Sequence, residues 1–259
     1  MARLRFARND RTHEMKINIL GVLIDNLKKP DVLKITEQFL SDGRQHYIVT
    51  ANPEMIVAAG KDEKFLEILN KAGLTVPDGF GLILAARFLR RPLPERITGV
   101  DLMLDICQMA EQKNYSIFLV AAKEGLSKSE ETAAALNKKF PGLKIGGAIL
   151  SEGDSGEKII TEINKTRPDI LFVSLRGICR QEKFIAENLN KVPSVKIAMG
   201  VGGSFDFITG RIKRAPKLMR KIGLEWLWRL FMQPWRLKRI FTATIKFSWL
   251  IIKNGKKYA

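Results

Sequence analysis

The feature that most constrains this chain is an alternation. Short β-branched runs recur at KINILGV (16–22), HYIVTA (46–51), LTVP (74–77), SIFLVA (116–121), LKIGGAIL (143–150), DILFVSL (169–175) and VKIAMGV (195–201). Between most of them lie longer stretches, such as VLKITEQFL and FLEILNKAG, with apolar residues at i, i+3 and i+4. Period-2 runs alternating with period-3.6 runs predict βα units on a mainly parallel sheet. Unbroken apolar runs such as ILFVSL predict strands buried on both faces. The expected fold is α/β: a Rossmann-like, mainly parallel sheet with flanking helices over residues 16–210, followed by a basic amphipathic helical appendage over 211–259. Residues 1–15 read as a disordered leader, with Met15 as the expected start.

In such a fold a ligand sits beyond the carboxyl ends of the strands, so the residues after each strand are the candidates for a site. They are Thr50-Ala51-Asn52-Pro53, Asp78-Gly79-Phe80-Gly81, Arg176 to Glu182, and Gly200 to Asp206. Asp78 lies between Pro77 and Gly79, which hold the backbone on one side and permit a tight turn on the other; a carboxylate fixed there suits a general base. The glycines of GVGGSF allow backbone N–H groups to approach a phosphate or nucleotide. That loop lacks the lysine of a P-loop, and no GxGxxG follows the first strand, so neither an ATPase nor a dinucleotide fold is supported.

Composition excludes further classes. The histidines are His13 and His46 alone, which argues against a histidine-built zinc site and against a Ser-His-Asp triad. Cys107 and Cys179 form no CxxC pair and fit a reducing compartment. Asp78 has no Asp-x-Asp neighbour to help hold a metal. The net charge is +17, of which residues 211–259 carry 14 Lys and Arg against one acid, Glu225, while residues 17–210 are near neutral at +1. A neutral body with a basic tail predicts an acidic partner met by the tail: phosphate, nucleic acid or anionic lipid.

The motifs TANPE (50–54), VPDGFG (76–81), RITGVDL (96–102), RQEKFI (180–185) and GVGGSFDFITGRIKRAPKLMRKIGLEWLWRL (200–230) resemble, in order and spacing, the WecG/TagA/CpsF glycosyltransferases, or glycosyltransferase family 26. The resemblance runs from Lys16 to about Arg239. It implies an inverting, metal-independent enzyme that moves a sugar from a UDP-sugar to a polyprenyl-diphosphate-linked sugar and uses no cofactor. In the TagA branch, N-acetylmannosamine passes to undecaprenyl-diphosphate N-acetylglucosamine, making the β-1,4 linkage unit of teichoic acid. Other branches use UDP-glucose or UDP-N-acetylmannosaminuronic acid.

Carried over by motif, the resemblance makes Asp78 the catalytic base, with Thr50, Asn52 and Gln181 lining its pocket. It implies that Gly200, Gly202, Gly203 and Asp206, with Arg96 and Asp101 of RITGVDL, hold the UDP-sugar. Positive charge for the leaving diphosphate then falls to arginine, whose planar fork binds phosphate bidentately; Arg229, Arg236 and Arg239 of the tail are the candidates. Relatives usually read Gly, a small residue, then Pro-Lys-Gln-Glu after the sixth strand. Here RGICRQE is one residue longer and carries Cys179-Arg180 in place of Pro-Lys.

On a helical wheel Leu224, Leu227, Trp228, Phe231 and Trp235 share one arc, away from Arg229, Arg236 and Arg239, and Pro234 is expected to kink or restart the helix. IFTATIKFSWLII (240–252) is interrupted by Lys246 and is too short for the ~20 residues of a membrane span. Basic residues opposite bulky apolar ones match helices that lie on anionic lipid. The expected setting is therefore cytoplasmic, peripheral on the inner face of the plasma membrane. Self-association of the apolar tail is the expectation where no membrane is present, and no nucleic acid is expected. A nucleotide- or nucleic-acid-binding regulator that uses the basic tail is the rival reading from another class.

Overall fold

The computed structural model describes residues 16–150, 156–234 and 237–258. Its centre is a six-stranded parallel sheet of β3 (His46–Ala51), β4 (Leu74–Pro77), β5 (Ser116–Ala122), β6 (Lys144–Leu150), β7 (Ile170–Ser174) and β8 (Ile197–Gly200), in the order β4-β3-β8-β7-β5-β6. The α/β expectation holds, with one correction. KINILGV is not one strand of this sheet. Its start forms β1 (Lys16–Ile19), which pairs antiparallel with β2 (Val22–Asp25) as a separate hairpin. The two-residue turn uses left-handed backbone at Leu20 (φ 52°) and Gly21 (φ 94°), the geometry that matches strand twist in tight hairpins.

Neighbouring residues within a strand serve opposite faces. Ile170 and Phe172 pack with α1 (Lys29–Ser41) and α5 (Gly99–Gln112), whereas Leu171 and Val173 pack with α7 (Glu157–Thr166) and α8 (Arg180–Asn188). Both faces are thus dry, which explains why these strands read as continuous apolar runs. A further cluster under β3 gathers the hairpin, α2 (Pro53–Ala59), α3 (Glu63–Lys71) and α4 (Phe80–Phe88). Helices α6 (Ser129–Lys139) and α9 (Ser204–Ile208) complete the core layers.

The tail is helical and folds back on this body. It comprises α10 (Lys217–Lys221), α11 (Glu225–Met232), and a long helix made of α12 (Leu237–Phe241), a π-helical turn (Thr242–Lys246) and α13 (Phe247–Asn254). As expected of Pro234, α11 stops at Met232, before the proline, and Leu237 is the first described residue of the next helix. Phe247 and Ile251 of α13 are buried in the cluster beneath α2 and α4. Of the arc read from the wheel, Phe231 lies at the surface, 75% exposed. Arg236, Trp235 and the 1–15 leader lie outside the described residues. Among the described residues, no helix is long and apolar enough to cross a membrane.

Candidate active site

The register of β3 against β4 aligns Ala51 with Pro77, so Asn52 and Asp78 emerge side by side beyond the sheet. Asp78 is fixed by its own backbone: its N–H donates to Ala51 O at 2.8 Å, and Ile97 N–H donates to Pro77 O at 2.9 Å. Gly79 is required for close approach, since a Cβ there would lie 2.4 Å from Pro53 Cδ. Next door, the Asn52 side chain accepts from Met55 N–H at 3.1 Å and caps α2.

A cleft of about 1280 Å³ opens over these strand ends. β3 and β8 are neighbours whose following helices, α2 and α9, pack on opposite faces of the sheet, and the cleft lies at that switch point. Thr50, Asn52, Asp78, Arg96, Gln181 and Asp206 line it. So do Gly202 and Gly203, and from the tail Arg229 and Arg239. Among the described residues, two of the expected set do not. Gly200 lies just below, its carbonyl 3.5 Å from Thr50 Oγ1. Asp101 is turned to another task. It binds Arg214 through both carboxylate oxygens, at 2.6 and 2.9 Å, and also accepts from Thr98 Oγ1 at 2.6 Å. Despite burial that raises its pKa, the Arg214 and Thr98 hydrogen bonds hold Asp101 down at about 2. It anchors the root of the tail.

Asp78 has the opposite electrostatics. Burial lifts its pKa to about 6; Arg96 and Arg229 oppose the rise, Glu225 adds to it, and Gly99 N–H stabilises the charged form. A carboxylate with that value is ionised near neutrality and still basic enough to accept a proton from a hydroxyl in a transition state. Arg229 lies over the Phe207 ring at 5.0 Å, and its Nε has no hydrogen-bond partner. Burial lowers its pKa while Asp78 and Glu225 support its charge. Its Nη2 is 3.1 Å from where a Cβ on Gly203 would sit, so the guanidinium leans directly on the glycine loop. Arg239 makes a forked pair with Glu54, at 2.6 to 3.1 Å.

The 176–182 loop turns through two left-handed positions, Gly177 (φ 98°) and Cys179 (φ 72°), just before α8. Gln181 still reaches the glycine loop, its Oε1 accepting from Gly202 N–H at 2.7 Å. Burial pushes the Cys179 thiol up to about 11, which disfavours the thiolate a nucleophile requires. His46 is occupied far from the cleft, stacked on Phe39 at 3.8 Å and paired with Asp42 at 2.8 Å. Among the described residues there is no group of three or more His, Cys, Asp or Glu side chains able to hold a metal ion.

Three carboxylates of the site lie in stretches that the sequence singles out, but were given no role there. Glu54 holds Arg239. Glu225 accepts from Arg96 at 2.7 Å. Glu182, 4% exposed, rests behind Gly200, where burial lifts its pKa to about 7. Glu225 alone carried a signal, as the lone acid in a strongly basic segment.

Fold and site together define an α/β protein whose cleft holds a carboxylate of raised pKa, Asp78, with Arg229 against a glycine loop and Arg96 and Arg239 in the same lining, an arrangement suited to group transfer from a phosphorylated substrate. The sequence profile of the glycosyl transferase WecG/TagA/CpsF family matches residues 17–259. The N-acetylglucosaminyldiphosphoundecaprenol N-acetyl-beta-D-mannosaminyltransferase of Bacillus subtilis (strain 168) is 34% identical over 209 residues, covering 81% of this chain and 80% of its own. The proteins of the same name from Staphylococcus aureus strains MRSA252 and MW2 are each 32% identical over 253 residues, 96% of both chains. The chain belongs to the WecG/TagA/CpsF glycosyl transferase family.

Proposed function

We propose that this protein transfers N-acetylmannosamine from UDP-N-acetylmannosamine to the N-acetylglucosamine of an undecaprenyl-diphosphate-linked acceptor, with inversion and without a metal, giving the β-1,4 linkage unit. The observation that carries this reading is the raised, cleft-facing carboxylate of Asp78 facing Arg229 and the glycine loop. The relatives' names supply the substrates and favour this donor over UDP-glucose or UDP-N-acetylmannosaminuronic acid, and an enzyme over a nucleic-acid-binding regulator.

Asp78 takes the proton from the acceptor hydroxyl as that oxygen attacks the anomeric carbon of the donor. The bond from that carbon to the β-phosphate oxygen breaks, and UDP departs with the electron pair. Arg229 meets the charge that develops on the diphosphate, and its partly desolvated setting strengthens that interaction. Arg96, now paired with Glu225, is a further cation for the leaving diphosphate, and Arg239, paired with Glu54, supplies a cation for the acceptor's diphosphate. Thr50, Asn52, Gly202, Gly203 and Asp206 shape the donor end. Gln181 acts through the loop it holds.

The tail serves as the membrane contact at the inner face of the plasma membrane. Phe241, Ile245 and Trp249 form a stripe on the long helix, exposed by 57, 59 and 55%, with Lys253 over the Trp249 ring. Apolar residues with basic neighbours match an interfacial helix, and a lipid-linked acceptor gives that contact its purpose. Acceptor-dependent UDP release, with the product weighed by mass spectrometry, tests the assignment. Release with UDP-glucose but not UDP-N-acetylmannosamine reassigns the donor. Salt-sensitive oligonucleotide binding without release returns the protein to the regulator class.

A further inference from the structure

The cleft has two ends of different character. One lies over the ends of β8, β7 and β5, where Ser174, Gly202, Gly203 and Asp206 present polar groups. The other passes the β4 edge and continues between α4 and the long tail helix. There Leu84 and Phe88 face Ala243, Phe247, Ile251 and Ile252 along the same continuous cavity. Asp78, at the end of β4, stands where the two ends meet.

The apolar end owes its shape to the π-helical turn. Thr242 and Thr244 hydrogen-bond back to the carbonyls of Lys238 and Ile240, at 3.0 and 2.7 Å, a contact that loosens a helical ladder. The widened turn packs on α2, and Ala243 adds little bulk to the wall opposite α4. π-Turns inside helices occur often at functional sites. Leu84, Phe88 and Ile252 remain 51, 52 and 69% exposed, which is costly for a wall with no occupant. The membrane-facing stripe of Phe241, Ile245 and Trp249 is separate from this wall, since none of the three lines the cavity.

We propose that the groove between α4 and the π-turned tail helix is a binding site for the first isoprene units of the acceptor's polyprenyl chain. This rests on the acceptor assigned above. The chemical order of that acceptor, sugar then diphosphate then hydrocarbon, matches the order of the cleft: Asp78, then Arg239, then the apolar wall that begins at Ile240, the next residue. Donor and acceptor therefore enter from opposite ends and meet at the base. The hydrocarbon is read by the protein before it reaches the bilayer.

The test compares two diphosphate-linked N-acetylglucosamine acceptors in membrane-free solution, one carrying an ethyl group and one a farnesyl group. Binding of farnesyl diphosphate alone is measured by calorimetry. Ala243→Trp fills the groove; Leu84→Ser, at an exposed position, weakens it with little risk to folding. The expected result is a preference of the wild type for the farnesyl acceptor in kcat/KM that falls at least tenfold in each variant, with weaker farnesyl diphosphate binding. An unchanged preference, or equal losses on both acceptors, overturns the proposal. So does loss of liposome binding in parallel with the preference, which would assign the wall to the membrane surface. If no acceptor turns over, the assigned reaction fails, while farnesyl diphosphate binding and its loss in Ala243→Trp still decide the groove.

Discussion

Arg96 donates from Nη2 to Glu225 Oε2 across 2.7 Å, joining the segment before α5 to the single carboxylate of residues 211–259. Both side chains are largely covered, at 15 and 18% exposure, and both act electrostatically on Asp78. One ion pair therefore couples the seating of the tail to the protonation of Asp78. Glu225→Gln removes a charge-assisted bond of about 2 kcal/mol. It is expected to increase proteolytic cleavage within the tail and, by deleting a nearby negative charge, to move the acid limb of the pH–rate profile to lower pH.

The raised pKa of Asp78 sets the wild-type limb. Activity in kcat/KM is expected to fall as pH drops below about 6, when the base becomes protonated. The stability consequence has the opposite direction. The folded pKa lies above the ordinary aspartate value, so the native state binds more protons between about pH 4 and 6, and stability is lost as pH rises through that window. Asp78→Asn removes the penalty and is expected to raise Tm by a few degrees at pH 7, corresponding to about 1–2 kcal/mol. Differential scanning calorimetry at pH 4 and pH 7 checks the sign.

Gly79→Ala tests the clamp beside the base. Its Cβ would meet Pro53 Cδ at 2.4 Å, so the Asp78 turn or the start of α2 must move. Overpacking of this kind costs about 1–3 kcal/mol. Activity is expected to fall at least tenfold through displacement of Asp78 while circular dichroism stays that of a folded α/β protein.

Serine at Phe241, Ile245 and Trp249 together leaves the body untouched, because all three are exposed. Affinity for vesicles rich in anionic lipid is expected to drop at least tenfold in a sedimentation assay. The basic residues remain, so the residual binding should keep its preference for anionic over zwitterionic vesicles.

The sheet was legible because its strands are buried on both faces and so leave unbroken apolar runs. The first run misled. KINILGV has the composition of a core strand, and its turn residues, Leu20 and Gly21, are not the Asn-Gly or Asp-Gly pair that announces a hairpin. Asp78, Thr50 and Asn52 could be located because parallel strands deliver their following residues to one edge. Asp101 could not be distinguished from a cleft residue, since its partner Arg214 is 113 positions away. Glu54 was similarly hidden: its forked pair with Arg239 spans 185 positions, a separation that only the folded-back tail closes.

Asp78 is proposed as the base of a glycosyl transfer that needs no metal. The direct measurement is UDP release from UDP-N-acetylmannosamine with a short-chain lipid-diphosphate N-acetylglucosamine acceptor, in EDTA, for wild type and Asp78→Asn. Turnover that persists in the chelator and falls about a hundredfold or more in the variant is the predicted result. A variant that keeps most of the wild-type rate, or a wild type silenced by EDTA and restored by a divalent cation, would contradict it.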